Sequence, residues 1–393
     1  MLFDSVRTAL KQTFVERDKI IDALLVAAVG RLHVLLLGPP GTGKSALLNA
    51  MGAMSGLTTF RYLLTKFTTP EELFGPISLL GLENDEIYRI VDGKLPDAHW
   101  VFLDEVFKAN TAILNALLTA MEERYFDNGH FSGHIPLITL VGASNEQPED
   151  RTVAALFDRF HYRFWVNYVS DDSIADVLLG SIKVNAFLTP GELVSAQKLV
   201  ESIFVPGDIV EKLIQVRREL RALGVPISDR RLKQIVRNAM AASAVIAERT
   251  EIEEGDAFLL PHLLAEKEND LRKISDVVFG IFSCDIIKAE QLLDGYLSVV
   301  NDFYDSVAID PGAVSVGSVG KLLDEGKRVL KKLEDLDKSK AVALKKRMGG
   351  LRLFAQKLAG LDVGGSGNVK SSAAPKVSPM TYSSGAPEDP VHS

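Results

Sequence analysis

Lys44 and Ser45 close the run Gly38-Pro39-Pro40-Gly41-Thr42-Gly43-Lys44-Ser45, which follows the apolar residues 32–37 and precedes the helix-forming stretch 46–50. Glycines placed between a strand and a helix let successive backbone N–H groups curl around phosphate oxygens, and the helix start adds its positive dipole end. Lys44 is then the cation for the β and γ oxygens, and Ser45 the expected magnesium ligand. The run predicts a site for ATP or another nucleoside triphosphate with Mg2+. Alone it does not separate a switch, a kinase and a motor.

Hydrolysis also needs a carboxylate for the metal and a base for water, both at the end of a strand beside the phosphate loop. Trp100-Val101-Phe102-Leu103-Asp104-Glu105 offers both. Asp104 would hold magnesium through a water, and Glu105 would orient or deprotonate the attacking water. Leu140-Val141-Gly142-Ala143-Ser144-Asn145 is another apolar strand that ends in an amide. Asn145 can hold the water and the γ-phosphate without taking a proton, although asparagine is also favoured wherever a strand turns.

These residues require a sheet to position them. Strand-like and helix-like segments alternate from about residue 10 to 169, the pattern of an α/β fold with a parallel sheet and helices on both faces. The expected strands are 32–37, 60–64, 100–103, 137–143 and 162–166. Between them lie amphipathic helices such as 112–123, whose Ile113, Leu114, Leu117, Leu118 and Met121 share one face. From Asp171 helical periods take over, punctuated by Thr189-Pro190-Gly191, Val205-Pro206-Gly207 and Gly224-Val225-Pro226. The expected domains are therefore an α/β nucleotide-binding domain over 1–169, an all-helical domain over 170–268, a helical C-terminal extension over 269–360 and a disordered tail over 361–393. The tail's Gly, Ser, Ala, Pro and Lys content offers too little apolar surface to order it.

The chain has 393 residues, 47% of them apolar, enough for a sizeable core. Its lone cysteine, Cys284, excludes an intramolecular disulfide and suits a reducing cytosol. No apolar run reaches the ~18 residues of a transmembrane helix, and the N-terminus lacks a signal-peptide pattern. The expected location is cytoplasmic. Net charge is −8, but residues 321–360 carry 12 Lys or Arg against 5 Asp or Glu, a balance of +7 that leaves −15 for the remainder. An acidic body is a poor footprint for a duplex-tracking protein, so nucleic acid is an unexpected partner. The basic segment, with Leu330, Leu333, Leu336 and Leu344 near helical spacing, reads as a docking helix, a membrane-surface helix or a solvated face on an apolar stripe.

Taken in order, GPPGTGKS, VFLDE, GASNE and LFDRF resemble the AAA+ P-loop ATPases of the MoxR group, and within it the RavA subfamily. Val15-Glu16-Arg17-Asp18 and residues 102–109 and 114–124 add to the resemblance, which runs from about residue 10 to 264. It implies that the helical domain is a lid. It also implies that Arg159, in Leu156-Phe157-Asp158-Arg159-Phe160, is an arginine finger for the neighbouring subunit's γ-phosphate, a role suited to guanidinium. Arg230 matches the second sensor arginine, with the adjacent Arg231 as the alternative. Two insertions resemble those of the clade: a hairpin over 65–95 around Glu83-Asn84-Asp85, and a second whose Asn128-Gly129 forms the turn. Their tips are candidate effector contacts; His130 and His134 could share a strand face but lack partners for a metal site. A β-rich partner-binding insertion, carried by RavA members, is not evident.

The resemblance implies a hexameric ring ATPase that remodels or matures a protein client, chaperone-like, with a von Willebrand factor A domain partner. A nucleic-acid translocase or helicase of the same clade is the alternative, and a slowly hydrolysing assembly factor a third. Guanine specificity is disfavoured because no Asn-Lys-x-Asp motif occurs.

Overall fold

In the computed structural model, residues 2–145, 151–170, 173–179, 187–283, 285–309, 315–336 and ten positions between 341 and 356 are described. Helices α1 (Leu2–Thr13) and α2 (Asp18–Gly30) lead into β1 (Val34–Leu37), α3 (Lys44–Ser55) and β2 (Thr59–Leu63). Short helices α4 (Pro70–Phe74) and α5 (Leu79–Glu83) precede β3 (Trp100–Asp104) and α6 (Thr111–Glu122). A two-stranded hairpin, β4 (Tyr125–Phe126) and β5 (Gly133–His134), comes before β6 (Thr139–Ser144), α7 (Arg151–Arg159) and β7 (Tyr162–Trp165).

β1, β2, β3, β6 and β7 form one parallel sheet in the order β2-β3-β6-β1-β7. Side chains alternate across a strand, and here both faces are covered. Val34, Leu36, Trp100 and Phe102 enter one apolar cluster with α2 and α3, while Leu35, Leu37, Val101 and Leu103 enter the other with α6. That double burial is why the strands read as continuous apolar runs. The chain moves outward from β1 to β2, returns through β3 and β6, then crosses to β7 beyond β1, which makes the carboxyl end of β1 a topological switch point.

Beyond the sheet the chain is helical: α8 (Ile174–Leu179), α9 (Pro190–Leu199), α10 (Gly207–Ala222), α11 (Asp229–Gln234), α12 (Ala241–Ile246), α13 (Leu260–Leu264) and α14 (Glu268–Ile281). Helices α15 (Asp285–Ile309) and α16 (Val316–Leu336) pack as a further pair, and the Tyr296 hydroxyl donates to the Leu322 carbonyl at 3.0 Å. Leu333 and Leu344 of the basic segment are buried in that third cluster, and Leu330 and Leu336 pack against it. The stripe is thus core and the described lysines form its solvated face, the plainest of the three expected readings. No helix among the described residues is long and apolar enough to cross a membrane. Cys284 and the tail over 361–393 lie outside the described residues.

The insertion over 65–95 differs from the expected hairpin. Only Ile77 and Arg89 form an antiparallel bridge, and residues 79–83 are helical. The Ser78 hydroxyl accepts from Gly81 N at 3.1 Å, capping that helix and turning the chain away from strand pairing. In the second insertion β4 and β5 do pair, but a loop over 127–132 joins them instead of a two-residue Asn-Gly turn. Asn128 serves instead as a clasp, since its Oδ1 accepts from Arg89 N at 2.7 Å and its Nδ2 donates to Arg89 O at 3.1 Å. Gly129, at φ +59, lies so close to Ile87 O that a Cβ would sit 2.3 Å from it. The two insertions are clamped into one body.

Candidate nucleotide site

β1 delivers the phosphate loop to the carboxyl edge of the sheet. Gly38 has φ +145, its N–H donates to Ser144 O at 3.0 Å, and a Cβ there would lie 2.1 Å from Val166 O. Only glycine fits that turn. Gly41 and Gly43 both sit at φ +80, and α3 begins at Lys44. The Lys44 ammonium donates to Gly38 O at 2.7 Å and Pro39 O at 2.8 Å. Burial pulls its pKa below the usual lysine value, against the opposing pull of Asp104 and Glu105. An anion at the loop would exchange these carbonyls for charged oxygens. Thr42 is buried, and its hydroxyl donates to Pro39 O at 3.2 Å.

The adjacent strands bring the acidic pair to the same edge. Asp104 ends β3, and its Oδ1 accepts from Glu105 N at 3.1 Å. Glu105 adopts φ 53, a left-handed conformation that costs a non-glycine residue about 1–2 kcal/mol and turns its side chain off the strand line. Its Oε1 accepts from Asn145 Nδ2 at 2.8 Å, and its Oε2 lies 3.3 Å from Lys108 Nζ. Asn145 follows β6, the strand between β3 and β1. Lys44, Ser45, Asp104, Glu105 and Asn145 therefore converge from three neighbouring strand ends. The Ser45 hydroxyl and the Asp104 carboxylate are hard oxygen donors, the set that suits Mg2+ bound together with phosphate oxygens. Among the described residues no group of three or more His, Cys, Asp or Glu could hold a metal by itself.

Arg17 completes this edge, and no spacing rule singled it out. Largely buried, it donates through Nη2 to Thr42 O at 3.2 Å and Asn167 O at 2.8 Å. It ties the phosphate loop to the segment after β7 and sets a second positive charge, a guanidinium, near the Lys44 ammonium. Glu16 beside it, at φ 57, accepts from Ser170 N at 3.1 Å.

Arg159 and Arg230 are elsewhere. Tyr162 pairs with Val34, so the start of β7 and the phosphate loop are separated by four strand residues, roughly 13 Å along the sheet. Arg159 precedes β7 and Arg230 opens α11, both at the amino edge. There each meets Glu122, the last residue of α6: Arg159 Nη2 contacts Oε2, and Arg230 Nη2 lies 2.9 Å from Oε1. Neither guanidinium can serve its own chain's phosphate loop.

Arg231 is buried in the joint between the sheet and the helical region. It donates to Leu263 O, to His161 O at 3.2 Å and to Asp158 Oδ1 at 3.2 Å. Of the two adjacent arginines, Arg230 alone presents its charge outward. Beneath them lie the buried His33 and the partly buried His161: His33 Nδ1 accepts from Leu140 N at 3.0 Å, and His161 Nδ1 accepts from His33 N at 3.0 Å. Desolvation pushes the His33 imidazole down to about 3, with Arg124 acting in the same direction. His134 stacks edge-on to Tyr125 at 5.7 Å, and His130 is exposed.

Comparison with known proteins accords with this geometry. Residues 2–201 match the family model described as the MoxR domain in the MoxR-vWA-beta-propeller ternary systems, and residues 208–278 match the AAA lid domain. The match does not single out the RavA subfamily. An uncharacterized protein of Methanocaldococcus jannaschii is 36% identical over 297 residues, covering 74% of this chain and 76% of its own. The chaperone MoxR1 of Mycobacterium tuberculosis is 27% identical over 218 residues, covering 53% of this chain and 56% of its own. A crystal structure from Cytophaga hutchinsonii, provisionally described as an ATPase, superimposes with TM-score 0.57 at 17% identity, over 71% of this chain and 92% of that one. At that identity the likeness speaks for the fold.

Proposed function

The chain belongs to the MoxR family of AAA+ ATPases, and from that premise we propose that it hydrolyses ATP, with magnesium, at a site completed by a neighbouring copy. The cycle would remodel or mature a protein client in the cytoplasm. The observation that carries this reading is the split of the machinery between the two edges of one sheet. Lys44, Ser45, Asp104, Glu105 and Asn145 stand at the carboxyl edge, Arg159 and Arg230 at the amino edge. A closed ring, hexameric by the family resemblance, is the arrangement in which each amino edge can face a neighbour's carboxyl edge.

In this reading the residues 38–45 wrap the triphosphate, and Lys44 leaves its two carbonyl partners for the β and γ oxygens. Ser45 and Asp104 would hold magnesium, which supplies charge neutralisation at the phosphate oxygens. Glu105 orients the attacking water and takes its proton. Its hydrogen bond to Asn145 holds the carboxylate until water and γ-phosphate claim the amide. Arg159 and Arg230 of the adjoining copy balance the charge that spreads over the transferring phosphoryl oxygens.

The family model's own description, a MoxR domain in MoxR-vWA-beta-propeller systems, supports a von Willebrand factor A domain partner. Steady-state phosphate release from Glu105→Gln protein tests the hydrolytic reading: hydrolysis at the wild-type rate would end it. The same variant, held in the ATP state and used as bait in nuclease-treated lysate, tests the client. Capture of a von Willebrand factor A domain protein is expected. Recovery that depends on nucleic acid would point to a translocase.

A further inference from the structure

We propose that Glu122 is a positioning residue for trans hydrolysis: its carboxylate gathers Arg159 and Arg230 into one two-pronged receptor that the neighbour's triphosphate then engages. The inference rests on the reading that these arginines act on the adjoining copy's nucleotide, and it adds a residue for which neither the motifs nor the resemblance supplies a role. Each carboxylate oxygen takes a different guanidinium, Oε2 that of Arg159 and Oε1 that of Arg230. The partners come from three separate elements, the ends of α6 and α7 and the first turn of α11. One side chain therefore sets the relative position of a core arginine and an arginine of the helical region.

Like charges make such a holder necessary. Two guanidiniums aimed at the same phosphoryl group repel, and their long side chains splay unless something holds them. More positive charge crowds the spot, since Arg231 and the buried Arg163 lie around Asp158, the residue next to Arg159. Glu122 is the carboxylate that both arginines meet. Arg159 Nε is buried and without a hydrogen-bond partner among the described residues.

Helix stability does not explain the residue. A carboxylate at a helix carboxyl terminus is disfavoured by the macrodipole. Glu122 is also 39% exposed on its side chain, and exposed ion pairs add little to stability. A weak pair is what the role needs, because the phosphate must be able to take over the guanidiniums without a large penalty.

The test uses mixed assemblies of full-length chains. Lys44→Ala protein cannot bind triphosphate productively but offers an intact amino edge, whereas Arg159→Ala protein keeps its nucleotide site and lacks the finger. Mixed, they should regain ATPase activity that neither has alone. Glu122→Gln is then added to one side at a time. Carried by the Lys44→Ala donor of the finger, it should lower the mixture's kcat about tenfold with KM for ATP within twofold, the signature of misplaced transition-state groups. Carried by the Arg159→Ala partner, it should lower the rate no further. Glu122→Asp on the donor should recover part of the loss. Equal effects from both sides would show a merely structural role and overturn the proposal, as would an undiminished kcat from the donor side. A parent mixture without activity would instead overturn the trans reading, and the proposal would fall with it.

Discussion

At the carboxyl edge of the sheet Lys44 is held by carbonyl oxygens of its own loop, Gly38 O and Pro39 O. At the amino edge Arg159 and Arg230 are held by a carboxylate from a different element. The first cation is positioned by eight consecutive residues, so its geometry is local. The second pair is positioned by residues 37 and 108 places apart in the chain, as 122, 159 and 230 show, so their geometry exists only once the sheet and the helical region have packed. A loop that holds its own cation can prepare a phosphate site in one subunit, whereas an edge built from three elements can report how those elements stand to one another.

The largest effect that would sharpen the contrast is loss of Arg159, the proposed finger. Arg159→Ala should cut turnover by about a thousandfold while its own nucleotide affinity persists, since fingers act on the transition state in the neighbour. Turnover beside a fluorescent-nucleotide titration checks it. Retention of turnover would erase the division between the edges.

Glu105→Gln should lower hydrolysis by about a hundredfold and trap bound ATP, as removal of a general base does. The rate is read by phosphate release, and assembly by light scattering in ATP.

Acid should act first on the amino edge. His33 is neutral in the fold, its pKa depressed from 6.5 to about 3. Between those limits the unfolded chain binds the extra proton, so stability is full above about pH 6.5 and falls as pH drops toward 3. The loss from His33 alone is on the order of 4 kcal/mol. Thermal melts from pH 7 to 4 should slope downward, and His33→Gln should flatten part of that slope.

Gly38→Ala should cost about 3 kcal/mol, because a Cβ would press on Val166 O at 2.1 Å in a backbone region closed to alanine. The melting temperature and ATP binding should fall together. Smallest of all, Asn128→Ala should cost about 1–2 kcal/mol by removing both hydrogen bonds to Arg89. Hydrogen exchange at Arg89 should rise while the phosphate loop is unaffected.

The strands along the chain, the glycine-rich loop and the acidic strand end were legible because each is written in contiguous residues, whereas the order β2-β3-β6-β1-β7 was not. Apolar runs make buried strands, and a glycine-rich turn before a helix makes a phosphate cradle. The hairpin expected over 65–95 failed on one side chain: alternation suggested strands, but the Ser78 cap made residues 79–83 a helix. Asn128-Gly129 looked like a turn, and the asparagine instead joins two insertions. Arg17, within Val15-Glu16-Arg17-Asp18, had no pattern to mark it, since its partners Thr42 and Asn167 lie far along the chain.

The sequence by itself determined where the glycine-rich loop, the acidic strand end and the asparagine-ended strand lie along the chain, and that a parallel sheet presents them. Only the tertiary structure decided which way the remaining charges face. It buried Arg231 in the joint and left Arg230 outward, brought Glu122 to both arginines, and placed them an edge away from their own loop. The physical reason is range. Turns, caps and burial patterns act over a few neighbouring residues, but the partner of a charged side chain is chosen by whichever element the packed core carries alongside it.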